Sequence, residues 1–196
     1  MELILATRNK HKIKEIKDIL KSLPVKIYSM LDFKTAPKIK EDGRTFRQNA
    51  VKKAKAFSRF FSLPAVADDS GLEVKALGGA PGVRSARFAG PGSIKRKLCA
   101  KVLKLMEGVP PSKRGARFVC IIAIALPGSK VKIVEGVVRG RIAMEMRGRY
   151  GFGYDPIFIP KGYRKTFAQM KPQMKNRLSH RAEALNKVKQ FLRGHR

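Results

Sequence analysis

Residues 3–29 read LILATRNKHKIKEIKDILKSLPVKIYS. Leu3–Ala6 is a short apolar run with the composition of a buried strand. From 10 to 23 the period changes. Ile13, Ile16, Ile19, Leu20 and Leu23 fall on one helical face, and lysines fill much of the rest. Val25–Ser29 then returns to an extended pattern. Strand, helix and strand in such quick succession predict an α/β fold.

Working outward, residues 30–44 hold Pro, Gly and mixed charge and read as a loop. A second amphipathic helix is expected from about Thr45 to Phe61. Thr45 is its N-cap candidate, and Phe46, Ala50, Val51, Ala54, Phe57 and Phe61 face inward. Ala65–Ala67 reads as a strand ending in Asp68-Asp69-Ser70-Gly71, with Leu72–Ala76 extended beyond it. Gly78, Gly79, Pro81 and Gly82 then force turns. Residues 93–107 read as a basic helix. Arg117–Leu126 and Val131–Arg139 read as two strands joined at Pro127-Gly128, and Ile142–Met146 as an extension of their sheet. A Gly-rich stretch follows at 147–156, and one last helix is expected from Ser179 to Leu192, with Ala182, Leu185, Val188 and Leu192 inward. No linker splits the chain. The expectation is a single domain over 1–196, α/β with a mixed sheet flanked by helices.

The 196 residues include 44 Lys plus Arg against 14 Asp plus Glu, a formal net charge of +30. With 43% apolar residues the chain is not expected to be disordered. So large a positive charge predicts attraction to a polyanion: nucleic acid, an anionic surface or a phosphate-rich substrate. The longest apolar stretch, Phe118–Leu126, is too short to span a bilayer. The N-terminus places its apolar run before its basic residues, the reverse of a secretory signal. Cys99 and Cys120 form neither a disulfide framework nor a CxxC pair, and they read as buried thiols of a cytoplasmic protein.

Four segments carry candidate chemistry. Thr7-Arg8-Asn9-Lys10-His11-Lys12 lies where a strand hands over to a helix, and helix N-termini attract anions. The same residues also suit an ordinary cap with a basic solvent face. Asp68-Asp69 is an acid pair at the end of a buried strand in a chain poor in acids. Neighbouring carboxylates call for a cation, such as Mg²⁺, or a proton between them, although Asp, Ser and Gly are also turn formers. Gly151-Phe152-Gly153-Tyr154-Asp155-Pro156 offers close backbone approach and an aromatic ring for stacking on a base. It also reads as a glycine turn with a core aromatic. Lys175-Asn176-Arg177-Leu178-Ser179-His180-Arg181 places His180 and Arg181 at the donor-rich start of the last helix, with Ser179 as cap. Taken together, a phosphate grip, an acid pair, a stacking loop and donors for a base edge describe a nucleoside triphosphate.

With these residues in view, the chain resembles the inosine triphosphate pyrophosphatase family. The segments TRNKHK (7–12), TFRQNAVKKA (45–54), ADDSGLEVKALGGAPGVRSARFAG (67–90), GFGYDPIF (151–158) and KNRLSHRAEAL (175–185) occur in the family's order and span nearly the whole chain. The resemblance implies an elongated mixed sheet with helices, two lobes around a central cleft. It implies Mg²⁺-dependent hydrolysis of dITP, ITP, XTP and dXTP to the monophosphate and pyrophosphate, by a cytoplasmic homodimer. On this reading Thr7 to Lys12 and Lys53 hold the triphosphate, and Ser70 sits at the substrate. Asp69 is the general base, and Glu41 with Asp69 organises the metal. Phe152, Gly153, Tyr154 and Asp155 line the base pocket, and Lys175, His180 and Arg181 contact the base. FGYDP and SHR argue against the related Maf-like pyrophosphatases.

The chain departs from the family's usual pattern where acids are expected. Gln48 stands in a TFxENA motif, Gln169 in a stretch that often carries Glu, and SIKRKLCAK (93–101) in a helix that is usually acidic. This reads as a surface charge shifted, by evolution or by design, around a preserved site. Gln48 is expected to weaken turnover without abolishing it. The competing reading is a basic nucleic-acid-binding protein on the same fold with reduced or lost catalysis. It predicts tight, steeply salt-dependent binding with no base preference.

Overall fold

A computed structural model describes residues 1–194. Strands β1 (Glu2–Leu5), β2 (Lys26–Ser29), β3 (Ala65–Val74), β4 (Gly115–Ala125), β5 (Lys132–Ile142) and β6 (Phe158–Pro160) form one sheet in the order β2-β1-β3-β4-β5-β6. Helices α1 (Lys10–Leu20), α2 (Phe46–Phe61), α3 (Lys95–Leu105), α4 (Pro172–Leu178) and α5 (His180–Arg193) alternate with these strands or follow them. The sheet is mixed. β1 runs parallel to β2, with Leu3 opposite Ile27, and parallel to β3, with Ile4 opposite Ala65. β6 runs antiparallel to β5, with Arg141 opposite Ile159.

The local chemistry explains most element ends. Asn9 caps α1 by accepting from the His11 and Lys12 backbone N–H groups. α1 stops at Leu20, earlier than the apolar period suggests, because Pro24 disfavours helical backbone at Leu23; Leu23 is still buried. α2 opens on a capping box between Thr45 and Gln48 and closes at Ser62, a non-glycine residue in the left-handed region with φ 52°. Of its expected inward residues, Phe46, Ala50, Ala54 and Phe57 are buried, while Val51 and Phe61 are half-buried.

Two expectations need correction. Asp68-Asp69 does not end a strand, because β3 continues unbroken from Ala65 to Val74 through both acids. Residues 143–146 leave the sheet after Ile142, and the strand that pairs with β5 is instead Phe158–Pro160. The backbone of Gly140 passes so close to Ile159 that a Cβ there would overlap its carbonyl oxygen. The helix expected from Ser179 to Leu192 is α5; a short helix not read from the sequence, α4, precedes it, and Ser179 (φ −76°, ψ 156°) is extended and separates the two.

The chain divides into two compact units. The first comprises Met1–Asp69, Cys120–Gly136 and the residues from Arg181 onward. Its core joins Leu3, Leu5, Ile16, Leu20, Val66, Ile122, Ile124, Leu185 and Val188, all nearly or fully buried. The second comprises Ser70–Val119 and Val137–His180. Its core is richer in aromatics: Phe118 meets Phe158 edge-on at 4.7 Å between centroids, and Phe158 lies 5.3 Å from Phe167. Arg114, buried in this unit, donates to the carbonyls of Met106, Val109, Ile142 and Ala143. A base in a strongly basic chain is here a structural staple rather than a surface charge. Both cysteines are free and buried, as expected.

Candidate active site

In the first unit, the β1–α1 junction presents Arg8, Asn9, Lys10 and His11 to solvent, with Thr7 and Lys12 half-buried. Asn9 is committed to the cap. Its Oδ1 accepts from His11 N at 3.0 Å and Lys12 N at 3.2 Å, and its own N–H donates to Thr7 Oγ1. Capping organises the turn, and the exposed basic side chains around it make this helix start a place for an anion.

β3 carries the two acids into the same unit. Asp68 is fully buried and is held from several sides. Lys12 Nζ donates to Oδ1; Arg181 Nε donates to Oδ2 at 2.8 Å; Cys120 Sγ lies 3.0 Å from Oδ2. Arg181 is itself only 1% exposed and donates through Nη1 to Glu15. Burial alone would raise the Asp68 carboxyl, but the Arg181 and Lys12 charges outweigh it and hold Asp68 well below the ordinary carboxylate range. The same cluster acts oppositely on its other members. Burial and the Asp68 charge push the Cys120 thiol far up, while Asp68 and Glu15 raise Arg181 against the lowering effect of its burial.

Asp69 meets a different set. Asn49 Nδ2 donates to Oδ2 at 3.0 Å, and Lys53 Nζ lies 3.9 Å from Oδ1. Lys53 also donates to Glu41 Oε1 at 2.5 Å and to the Asp68 carbonyl oxygen at 2.8 Å. Burial is the largest influence on Asp69 and raises its pKa. The Lys53 and Lys12 charges and the Asn49 hydrogen bond pull back only part of that rise. A carboxylate raised in this way is better able to take up a proton near neutral pH. Asn49 itself is set by Gly43, whose backbone N–H donates to Asn49 Oδ1 at 2.8 Å and whose position leaves no room for a Cβ.

The second unit builds a cationic aromatic cluster. Lys175 on α4 is buried and donates to Asp155 Oδ2 at 2.6 Å. Its ammonium lies 4.6 Å from the centre of the half-buried Phe152 ring and 6.0 Å from that of Phe167. Asp155 Oδ2 also accepts from Phe152 N at 2.7 Å, which closes the 152–155 turn. Gly151 (φ +68°) makes this turn possible, since a Cβ there would overlap the Asp155 carboxylate. The Tyr154 hydroxyl donates to Ser85 O at 2.8 Å, and the Gly153 carbonyl lies 3.4 Å from Cys99 Sγ. Burial carries the Cys99 thiol up to about 12. His180 is buried and stacks on Phe118, with centroids 4.7 Å apart and planes 8° from parallel. Ser70 is half-buried on β3.

The structure thus gathers Lys12, Lys53, Glu41 and Asp69 in one unit, and Phe152, Asp155 and Lys175 in the other. Arg181, expected at a base, directs its described donors to Asp68 and Glu15. Sequence reasoning passed over Asn49, Cys120, Glu15, Phe118 and Phe167, none of which carries a local signal of its own. Two of the departures from the family pattern have backbone roles. Gln48 Oε1 accepts from Arg44 N and Thr45 N, and Gln169 Oε1 accepts from Thr166 N. Either Gln or Glu serves at this place in a capping box.

Lysines of α1 and α2 gathered around a buried carboxylate of raised pKa on β3 define an α/β enzyme for anionic substrates. The chain belongs to the Ham1 family, whose sequence pattern matches residues 3–191. It is 48% identical over 192 residues to a dITP/XTP pyrophosphatase of Desulforamulus reducens, covering 98% of this chain and 96% of that protein. It is 45% identical over 191 residues to the dITP/XTP pyrophosphatase of Bacillus subtilis, covering 97% and 96%. Among solved structures, a HAM1 protein from Coxiella burnetii matches with a TM-score of 0.90 at 40% identity, over 99% of both chains. The Staphylococcus aureus Ham1 protein matches with a TM-score of 0.89 at 36% identity, over the full length of both. The family read from the motifs and the mixed α/β sheet are both borne out.

Proposed function

We propose that this protein hydrolyses non-standard purine nucleoside triphosphates, dITP, ITP, XTP and dXTP, to the monophosphate and pyrophosphate. The observation that carries the reading is Asp69: a buried carboxylate of raised pKa, anchored at Oδ2 by Asn49 and flanked by Lys53. Relatives at 45–48% identity bear the name dITP/XTP pyrophosphatase.

Asp69 takes the proton of the attacking water at Oδ1. The water oxygen bonds to the α-phosphorus, the α–β bridging P–O bond breaks, and pyrophosphate leaves with the bond's electrons. Thr7 to Lys12 and Lys53 hold the phosphates by charge and by donors at the α1 start. Ser70 follows Asp69 directly on β3 and is assigned to the substrate. Phe152 stacks on the base within the Gly153, Tyr154 and Asp155 turn, and Lys175, His180 and Arg181 are assigned to the base edge. Donors at the 6-position pair with the oxygen of hypoxanthine or xanthine. Against the adenine amino group they are left unpaired, which disfavours adenine.

Among the described residues no group of three or more His, Cys, Asp or Glu is arranged to hold a metal. Glu41 and Asp69 nevertheless fit Mg²⁺, which takes hard oxygen ligands and is typically held by one or two carboxylates with water and phosphate oxygens completing its shell. These two would hold it, and it would supply charge neutralisation on the phosphates. A homodimer at work in the cytoplasm belongs to the same proposal. No described helix is long and apolar enough to cross a membrane.

The test is product analysis with dITP, with Mg²⁺ and with EDTA. Equal release of dIMP and pyrophosphate with Mg²⁺, and none with EDTA, is expected. Slower turnover of dATP by about 100-fold or more is also expected. Absence of pyrophosphate from both dITP and XTP would overturn the reading, as would release of orthophosphate in its place.

A further inference from the structure

We propose that the groove between the C-terminal half of α2 and the β4–β5 turn, wholly within the first unit, binds the sugar–phosphate backbone of a nucleic acid. The groove measures about 700 Å³ and has Lys52, Lys55, Ser58 and Arg59 on its helical wall, with Pro127 and Gly128 on the turn opposite. Among the described residues no Asp or Glu lines it.

The three cations recur at helical spacing, three and then four residues apart, so they form one row along one face. At a rise of 1.5 Å per residue the row spans roughly 10 Å. Phosphates of one strand follow one another at about 3.4 Å along a duplex axis, so the row matches several phosphates in sequence and exceeds the reach of one. Lys52 shares its charge with Asp42 at 2.7 Å, whereas Lys55 and Arg59 have no acidic partner among the described residues. Lys53, next to Lys52 in sequence, is occupied with Glu41 and the Asp68 carbonyl oxygen.

The groove wall also holds a polar group the fold does not use. Ser58 is 5% exposed, and its hydroxyl has no hydrogen-bond partner among the described residues. A helical serine commonly donates to the carbonyl four residues back, and Ser58 does not. A buried hydroxyl without a partner costs stability, and once the groove widens enough to uncover it, a phosphate oxygen would accept its hydrogen bond. The net charge of +30 adds a long-range attraction for the same class of ligand.

The experiment measures binding of a labelled single-stranded DNA of mixed sequence by fluorescence anisotropy across a salt series. It compares the parent with Lys55→Gln/Arg59→Gln and with Arg96→Gln/Lys97→Gln, which removes the same charge from an exposed part of α3. The groove variant is expected to bind about tenfold more weakly. Its slope of log affinity against log salt should fall by about 1.4, since single strands give roughly 0.7 per neutralised phosphate. The α3 variant should change by less than about twofold on the same scale. The groove variant should hydrolyse dITP at the parent rate. Ser58→Ala should weaken DNA binding while leaving the melting temperature unchanged or raised. Equal loss in both double variants would overturn the proposal by making the attraction diffuse. Displacement of the DNA by inorganic phosphate at constant ionic strength would overturn it in favour of a small-anion site, and absence of DNA binding by the parent would overturn it outright.

Discussion

Asp68 and Asp69 are neighbours on one strand, yet each belongs to a different electrostatic region. On the side of Asp68, Arg181, Lys12 and Cys120 all point donors at one carboxylate, and its pKa sits well below the usual value. On the side of Asp69 a single amide holds one oxygen, Lys53 stands 3.9 Å from the other, and burial prevails. The first arrangement stabilises a charge so strongly that the group is useless as a proton acceptor. The second leaves the charge under-compensated, which is the condition for a base. Alternation along a strand turns adjacent side chains toward opposite faces, and here it separates an anchor from a reagent.

Exchanging acid for amide at each position tests this division most directly. Asp69→Asn should lower kcat for dITP by about 10²- to 10⁴-fold, the usual worth of a positioned general base, with the melting temperature kept or raised. Steady-state kinetics and calorimetry on the same sample check both parts. Asp68→Asn should do the reverse first. Leaving Arg181 and Lys12 without their shared carboxylate should cost about 3–5 kcal/mol in denaturant unfolding. If the two variants lose stability equally, the contrast between anchor and reagent fails.

Acid titration sharpens it further, because the two groups contribute with opposite signs. Asp68 binds protons more weakly folded than unfolded, so its contribution is present above the unfolded value near 3.8 and is lost as pH falls toward its depressed folded pKa. Asp69 binds protons more tightly folded, so its charge costs stability above its raised pKa, and that cost is relieved as pH falls through it. Chemical denaturation from neutral to strongly acid pH should therefore show Asp69→Asn gaining on the parent at neutral pH, and Asp68→Asn with a flatter acid limb. The smallest effect belongs to Cys120→Ala. Losing one thiol donor from a carboxylate that keeps Arg181 and Lys12 should cost about 1 kcal/mol and leave dITP turnover unchanged.

Much of the first region was legible before the structure. The isoleucines of α1, the capping pair Thr45 and Gln48, and the acid doublet all carry local signals. The strand through the doublet was not legible, because two adjacent acids followed by Ser and Gly resemble a turn. What keeps them extended lies far off in sequence, with Arg181 placed 113 residues after Asp68. The same distance hides the partnership of Arg181 with Glu15, which ties that residue to α1 as well as to β3. β6 escaped notice because a strand of three residues ending in Pro160 has no periodicity to read. Ser179 was legible as a helix start, but not as the break between two helices. The roles of Gln48 and Gln169 became apparent only from their hydrogen bonds to backbone N–H groups.

The discontinuity of the two units has a consequence for synthesis. The second unit has all of its residues once His180 has been translated. The first begins with the first residue made, yet it needs Leu185 and Val188 to close its core. Until α5 emerges from the ribosome, Asp68 has neither Arg181 nor that apolar cover. Until then the growing chain has Lys12 but not Arg181 to set against Asp68, and the α5 helix both closes the core and delivers the second charge.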